Sequence, residues 1–214
     1  MLGSQAWSYV GSQYLCGNHE GYSGETIEWL NEHVVAKAIT AYQPDIVLFL
    51  AGTNDFFWPP PHGSRSPAEV ATRLRAALQT LYTADTNNAT VLVSTVTAIN
   101  QTRCKYYHTA SWHPGDCPDD MQANIAAYNR LLPGVVQEQK ALGRDVRLVV
   151  QPTSFIAADY WLWGIHFNSS GFEKIAGAWH SAIVATDQMR RAMGVKEMGA
   201  AEEQDPGSRE VAPR

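Results

Sequence analysis

Apolar positions along the chain alternate between compact runs and helical spacing. Between Ala6 and Ser12 the stretch Trp7-Ser8-Tyr9-Val10 is aromatic and β-branched and predicts a short strand, followed by a glycine-rich loop through Gly17, Gly21 and Gly24. Ile27, Leu30, Val34, Val35 and Ala38 then recur on one helical face, with Pro44 marking its far limit. Ile46 to Ala51 is a continuous apolar run of strand length, the pattern of a strand covered on both faces in a parallel sheet. It ends in Gly52-Thr53-Asn54-Asp55. Ser66-Pro67-Ala68-Glu69 supplies an N-cap, a proline at the first helical position and a capping-box glutamate, and Val70, Leu74, Leu78 and Leu81 give the helix it opens one apolar face. Thr90 to Thr97 is strand-like. A long cysteine-containing loop leads to a helix from Met121 to Leu142, kinked at Pro133-Gly134. Val146 to Val150 predicts a last strand, and Phe172, Ile175, Trp179 and Ile183 one face of a last helix. Strands alternating with helices predict an α/β fold, a three-layer α/β/α sandwich with a mainly parallel sheet.

Composition narrows this picture. The 214 residues suit one domain, and 45% apolar with 17% charged residues describes a chain that buries a core. Beyond Met193 the composition turns to Gly, Ala, Glu, Gln, Asp, Pro and Ser, so residues 1–193 form the expected domain and 194–214 a disordered tail. The net charge of -5, with no Lys/Arg cluster, argues against nucleic acid. No apolar run approaches the ~18 residues of a membrane span, so no membrane partner is expected.

The first residues lack the charged start and apolar stretch of a secretory signal, which read literally means cytosol. Sequons at Asn88, Asn100 and Asn168 and the cysteines point the other way. Cys104 and Cys117 bracket a loop-like stretch and fit a disulfide; free thiols, or a zinc set of Cys104, His108, His113 and Cys117, are the alternatives. Cys16 is left over.

Ligands of parallel sheets bind beyond the carboxyl ends of the strands, so the residues after each strand carry the candidate chemistry. Asn54 places a side-chain amide at that rim, able to donate to a developing oxyanion or simply to cap a turn. The loop Gly21-Tyr22-Ser23-Gly24-Glu25-Thr26 enters a helix, and its N–H groups can serve an anion. Trp163-Gly164-Ile165-His166-Phe167-Asn168 precedes the last helix, where His166 is either a structural histidine or a general base.

Together, Val10-Gly11-Ser12-Gln13, His19 to Ile27, Gly52 to Asp55 and the His166 segment resemble the GDSL/SGNH hydrolase family over roughly residues 7 to 185, most like its carbohydrate-esterase branch of acetyl xylan esterase-like enzymes. The resemblance implies an SGNH/flavodoxin-like sandwich in which Gly24 (backbone N–H) and Asn54 (side-chain amide) form the oxyanion hole and His166 is the catalytic base, with no cofactor and no metal. Two departures stand out. The family's Gly-Asp-Ser segment, which carries the nucleophile, has no match; Ser4 lies too close to Val10-Gly11-Ser12-Gln13 to leave room for the family's intervening helix. The family's Asp three residues before its His is Trp163 here, which donates an N–H but cannot accept from imidazole; Asp159 is nearby in sequence, and a backbone carbonyl is the other group that could orient the ring.

The resemblance also places the serine-bearing strand between the strands expected at Ala6–Ser12 and Ile46–Ala51. The expectation is therefore an N-terminally truncated domain with its first strand missing, derived from an extracellular parent. That parent would hydrolyse acyl, chiefly acetyl, esters of carbohydrate, its substrate a small-molecule or polysaccharide ester; the truncated form would be inactive. The alternative is a non-catalytic carbohydrate-binding pseudoenzyme, with Trp58, Trp112, Trp161 and Trp163 as stacking faces or as half-buried loop anchors.

Overall fold

The computed structural model describes residues 9–13, 19–110, 117–161 and 163–193. Helix α1 (Ile27–Leu30), a π-helical turn (Asn31–Val35) and α2 (Ala36–Tyr42) run on from one another, opened by Thr26, whose side chain accepts from Trp29 N–H. Strand β1 (Ile46–Phe49) leads into α3 (Thr53–Phe57) and α4 (Pro67–Ala84), then β2 (Thr90–Ser94), α5 (Gln101–Ala110), α6 (Met121–Ala141), β3 (Val146–Val149), a 3-10 turn (Ala157–Asp159) and α7 (Ser169–Ala192).

The three strands are parallel in the order β1-β2-β3, with Ile46 opposite Thr90 and Val91 opposite Val146. Successive side chains alternate between two faces. Val47, Phe49, Val91, Val93 and Val146 join α1, α2, α4 and α6 in the main core; Ile46, Leu92 and Val149 meet Ile183 and Trp179 of α7 on the other face. This is the expected three-layer α/β/α sandwich.

Several local expectations change. Residues 6–8 of the strand expected at Ala6–Ser12 lie outside the described residues, and Tyr9 to Ser12 form no strand; the chain makes a single antiparallel bridge between Gln13 and His19. The predicted kink at Pro133-Gly134 does not break α6. Pro133 sits on the exposed face, while Leu132, Val135 and Val136 continue the buried stripe. The expected loop after β2 contains α5: Asn100 caps it by accepting from Arg103 N–H at 3.1 Å, but its residues show no apolar periodicity to announce it. Phe172 is 56% exposed, leaving Ile175, Trp179 and Ile183 as the inward face of α7. Cys104 on α5 and Cys117 form a disulfide, so the free-thiol and zinc alternatives lose both sulfurs.

Among the described residues the second edge of β1 pairs with nothing. Leu48 and Leu50 are 37% and 42% exposed there, beside a groove of about 500 Å3.

Candidate active site

At the carboxyl end of β1 the chain turns at Gly52 (φ +125°), where a Cβ would meet Val96 at 3.1 Å and Tyr128 at 3.3 Å. Only glycine fits this close, left-handed corner. The turn aims α3 back at the loop before α1, and three hydrogen bonds join the two. Asn54 Nδ2 donates to the Glu25 carbonyl at 2.9 Å, Trp58 Nε1 donates to the Gly24 carbonyl at 2.7 Å, and Ile27 N–H donates to Asp55 Oδ2 at 3.0 Å.

Asp55 is fully buried and also accepts from Arg73 Nη1 at 3.2 Å; Arg73 continues to Glu69 and Glu28 on the surface. Burial pushes the Asp55 carboxyl above its ordinary pKa, opposed by the bonds from Ile27 N–H and Arg73. The helix N-terminus that was expected to serve an external anion thus already holds one, the Asp55 carboxylate. What remains available lies one turn earlier. The Gly24 N–H has no acceptor among the described residues, and Asn54 keeps a second amide hydrogen beyond its bond to Glu25. Two free donors on one braced loop–helix unit are what an oxyanion requires.

His166 follows β3. Its loop is closed by the Tyr160–Phe167 bridge, by Trp161 N–H to the His166 carbonyl at 2.9 Å, and by Asn100 N–H to the Gly164 carbonyl at 2.7 Å. The ring is exposed. Because the strands are parallel, the turn after β1 that carries Asn54 and the segment after β3 that leads to His166 leave the sheet at the same end.

The sequence profile of the GDSL-like lipase/acylhydrolase family matches residues 4–174. The chain belongs to this family. Among solved structures it is similar to an acetyl esterase mutant crystallised with an acetate ion (22% identity, TM-score 0.66, covering 87% of this chain and 83% of that one). It is also similar to a Clostridium thermocellum family 3 carbohydrate esterase (24%, 0.63, 87% and 80%) and to a family 3 carbohydrate esterase from Talaromyces cellulolyticus (22%, 0.62, 84% and 81%). At these identities the likeness is one of fold. No curated protein sequence matches.

Within this GDSL-like fold the carboxylate seven residues before His166 is committed elsewhere. Asp159 accepts from Ile156 N–H (2.7 Å), Ser170 Oγ (2.8 Å) and Lys174 Nζ (2.7 Å), and these bonds, that of Lys174 foremost, hold its pKa down to about 2. It braces the start of α7. Trp163 is 47% exposed and Trp161 59%, so neither is the half-buried anchor that Trp58 is; Trp112 lies outside the described residues.

Sequence reasoning gave neither Asp55 nor Trp58 its role in this GDSL-like site; Trp58 was weighed only as a stacking face or a half-buried loop anchor. Asp55 had a signal, a carboxylate placed directly after an apolar strand and before buried Phe56. Trp58 had none, since its role lies in one indole N–H reaching across 34 residues of chain.

Proposed function

We propose that this GDSL-like chain carries the oxyanion hole and general base of a secreted serine esterase that removes acetyl or other short acyl groups from carbohydrate. The observation behind the reading is the α3–Gly24 unit, with the Gly24 N–H and one Asn54 amide hydrogen unused. The acetyl and carbohydrate esterases among its structural neighbours support the substrate class. The disulfide supports an oxidising compartment.

In the reaction proposed, a serine hydroxyl attacks the ester carbonyl while His166 takes its proton. The oxyanion is held by Gly24 and Asn54. His166 returns the proton to the departing sugar oxygen, and water, deprotonated by His166, then releases the acid from the acyl-enzyme. Nothing in the 214 residues matches that serine, and loss of a nucleophile costs about 10⁶ in rate in serine proteases. The chain by itself is expected to show little or no turnover of 4-nitrophenyl acetate. Labelling of one of its serines by a fluorophosphonate probe would refute that. Extending the chain upstream by a strand ending in Gly-Asp-Ser and the helix that follows it in the family is expected to give hydrolysis of acetylated xylan; failure on both acetylated sugars and simple acetate esters removes the esterase reading.

The exposure of Trp161 and Trp163 beside His166 favours a second reading, a non-catalytic carbohydrate-binding protein on the same scaffold. It requires that a xylan oligomer bind and that Trp163→Ala abolish binding.

A further inference from the structure

The sequons at Asn88, Asn100 and Asn168 sit in three different environments, and Asn88 stands clear of the fold. The turn between α4 and β2 is braced without its side chain. Asp85 accepts from Asn87 N–H at 2.9 Å and from Ala89 N–H at 2.8 Å, and Asn87 Nδ2 donates to the Gln43 carbonyl at 2.9 Å. Asn88 takes the left-handed conformation (φ +55°), which asparagine adopts more readily than most residues, and its carbonyl accepts from Arg190 Nη1 at 3.1 Å. Its backbone is thereby fixed, whereas its exposed side-chain amide makes no hydrogen bond among the described residues.

The other two asparagines are committed to helix starts. Asn168 Oδ1 accepts from Ser170 N–H at 3.1 Å and from Gly171 N–H at 3.3 Å, while Nδ2, the atom that would carry a sugar, donates to the Ala158 carbonyl. Asn100 Oδ1 accepts from Arg103 N–H, and the residue is half-buried where its own N–H donates to the Gly164 carbonyl at 2.7 Å. Both therefore hold the His166 segment, one on either side of it. Asn88 precedes Thr90, at the amino end of β2, opposite the end where the candidate site lies, so a bulky group there leaves that site open.

We propose that Asn88 is a glycan-bearing residue, the one of the three sequons that the folded protein carries modified. The inference rests on the reading of the chain as secreted, since the donor, a polyprenyl-diphosphate-linked oligosaccharide, is met in the secretory pathway. In the transfer Asn88 Nδ2 bonds to the anomeric carbon, the bond from that carbon to the diphosphate oxygen breaks, the lipid diphosphate departs and Nδ2 loses one proton. Transfer precedes folding, so Thr90, fully buried in the native state with its Oγ1 donating to Asp145 at 2.6 Å, is accessible when the sequon is read. The fold then decides which glycan it keeps. At Asn88 the sugar meets water and displaces no bond. At Asn168 it pushes Nδ2 from Ala158 and disturbs the α7 cap, and at Asn100 it presses on the half-buried joint with Gly164.

The test directs the full chain into the secretory pathway of cultured insect cells with a cleavable signal and recovers the Cys104–Cys117-bonded protein from medium and cells. Peptide:N-glycosidase F converts a glycan-bearing asparagine to aspartate, which peptide mass spectrometry locates. Conversion is expected at Asn88 and not at Asn100 or Asn168. On electrophoresis Asn88→Gln is expected to lose the glycan's mobility shift and run with the glycosidase-treated parent. Thr102→Ala and Asn168→Asp, which delete the other sequons while keeping an acceptor at each cap, are expected to retain the shift. An unmodified Asn88 overturns the proposal, as does a glycan at Asn100 or Asn168 as frequent as at Asn88, because the fold then makes no choice. A natural protein confined to the cytosol overturns the secreted reading first and this proposal with it, a failure distinct from an unmodified Asn88 in the chain routed by the added signal.

Discussion

Trp58 donates its indole N–H to the carbonyl of Gly24 at 2.7 Å, so the side chain that closes α3 sets the peptide plane next to the proposed oxyanion donor. Trp58→Phe keeps most of the ring and deletes the donor. The expected cost is about 1 kcal/mol of stability in urea unfolding, with faster amide exchange across Gly21–Glu25 and no change in α6. A tenfold or smaller change in exchange spread evenly over the chain would make Trp58 ordinary packing.

Asp55 joins the same two segments from below. Its removal by Asp55→Ala leaves Arg73, whose side chain is 10% exposed, and Ile27 N–H without their buried partner, and the expected loss is about 3–5 kcal/mol by chemical denaturation. Asp55→Asn retains one acceptor, enough for Ile27 N–H, but turns its amide NH2 toward Arg73 and loses the ion pair, so it is expected to cost less than Asp55→Ala by the bond to Ile27. Equal losses in the two variants would mean that the ion pair, and not the bond to Ile27, holds the loop.

How far the sequence revealed this arrangement follows from the reach of each interaction. The runs Ile46–Ala51 and Thr90–Thr97 and the capping box at Ser66–Glu69 are local signals, and the structure places β1, β2 and α4 there, with the strands trimmed by two or three residues. Helix α5 escaped because its stability comes from Asn100, the Cys104–Cys117 bond and Arg103 reaching the Tyr160 carbonyl, none of which leaves a 3.6-residue apolar repeat. Gly24 and Asn54 were legible as motif residues, but the loop that carries Gly24 is held by Trp58 and Asp55 across distances that no spacing rule covers.

The Cys104–Cys117 bond closes a loop of 13 residues' separation. A loop of that length restricts the unfolded chain by roughly 3 kcal/mol. Reduction is expected to lower the melting temperature by about 6–12 °C, the shift that this free energy gives in a domain of this size. A melting temperature unchanged in dithiothreitol, with both thiols then alkylated, would contradict it.

Asp159 makes stability depend on acid. Its folded pKa of about 2 lies below the ordinary 3.8, so the stability it contributes is fully present above about pH 4 and is lost as the pH falls toward 2. Asp159→Asn is expected to melt below the parent at pH 6, with the difference closing between pH 4 and pH 2. A difference constant with pH would assign the effect to lost hydrogen-bond geometry instead of charge.

The exposed His166 ring has no hydrogen-bond partner among the described residues, Asp159 is engaged by Lys174, Ser170 and Ile156, and position 163, where the family places its orienting Asp, is Trp163. An imidazole acting as base needs an acceptor on its second nitrogen to fix the tautomer and stabilise the imidazolium, and in a serine protease the loss of that carboxylate lowers kcat by ~10⁴. Because Trp163 is 47% exposed, Trp163→Asp should fold with little penalty. In the protein supplied with its serine strand, Trp163→Asp is expected to raise kcat for 4-nitrophenyl acetate by at least tenfold. Asp159→Asn in the same background is expected to change kcat little at temperatures where it is folded. Should Trp163→Asp leave kcat unchanged while Asp159→Asn abolishes it, the orienting role belongs to Asp159 after a rearrangement of its bonds to Lys174 and Ser170. Should neither matter, a main-chain carbonyl orients His166, and the tryptophan at 163 serves the substrate, which a rise in KM for acetylated xylan in Trp163→Ala would register.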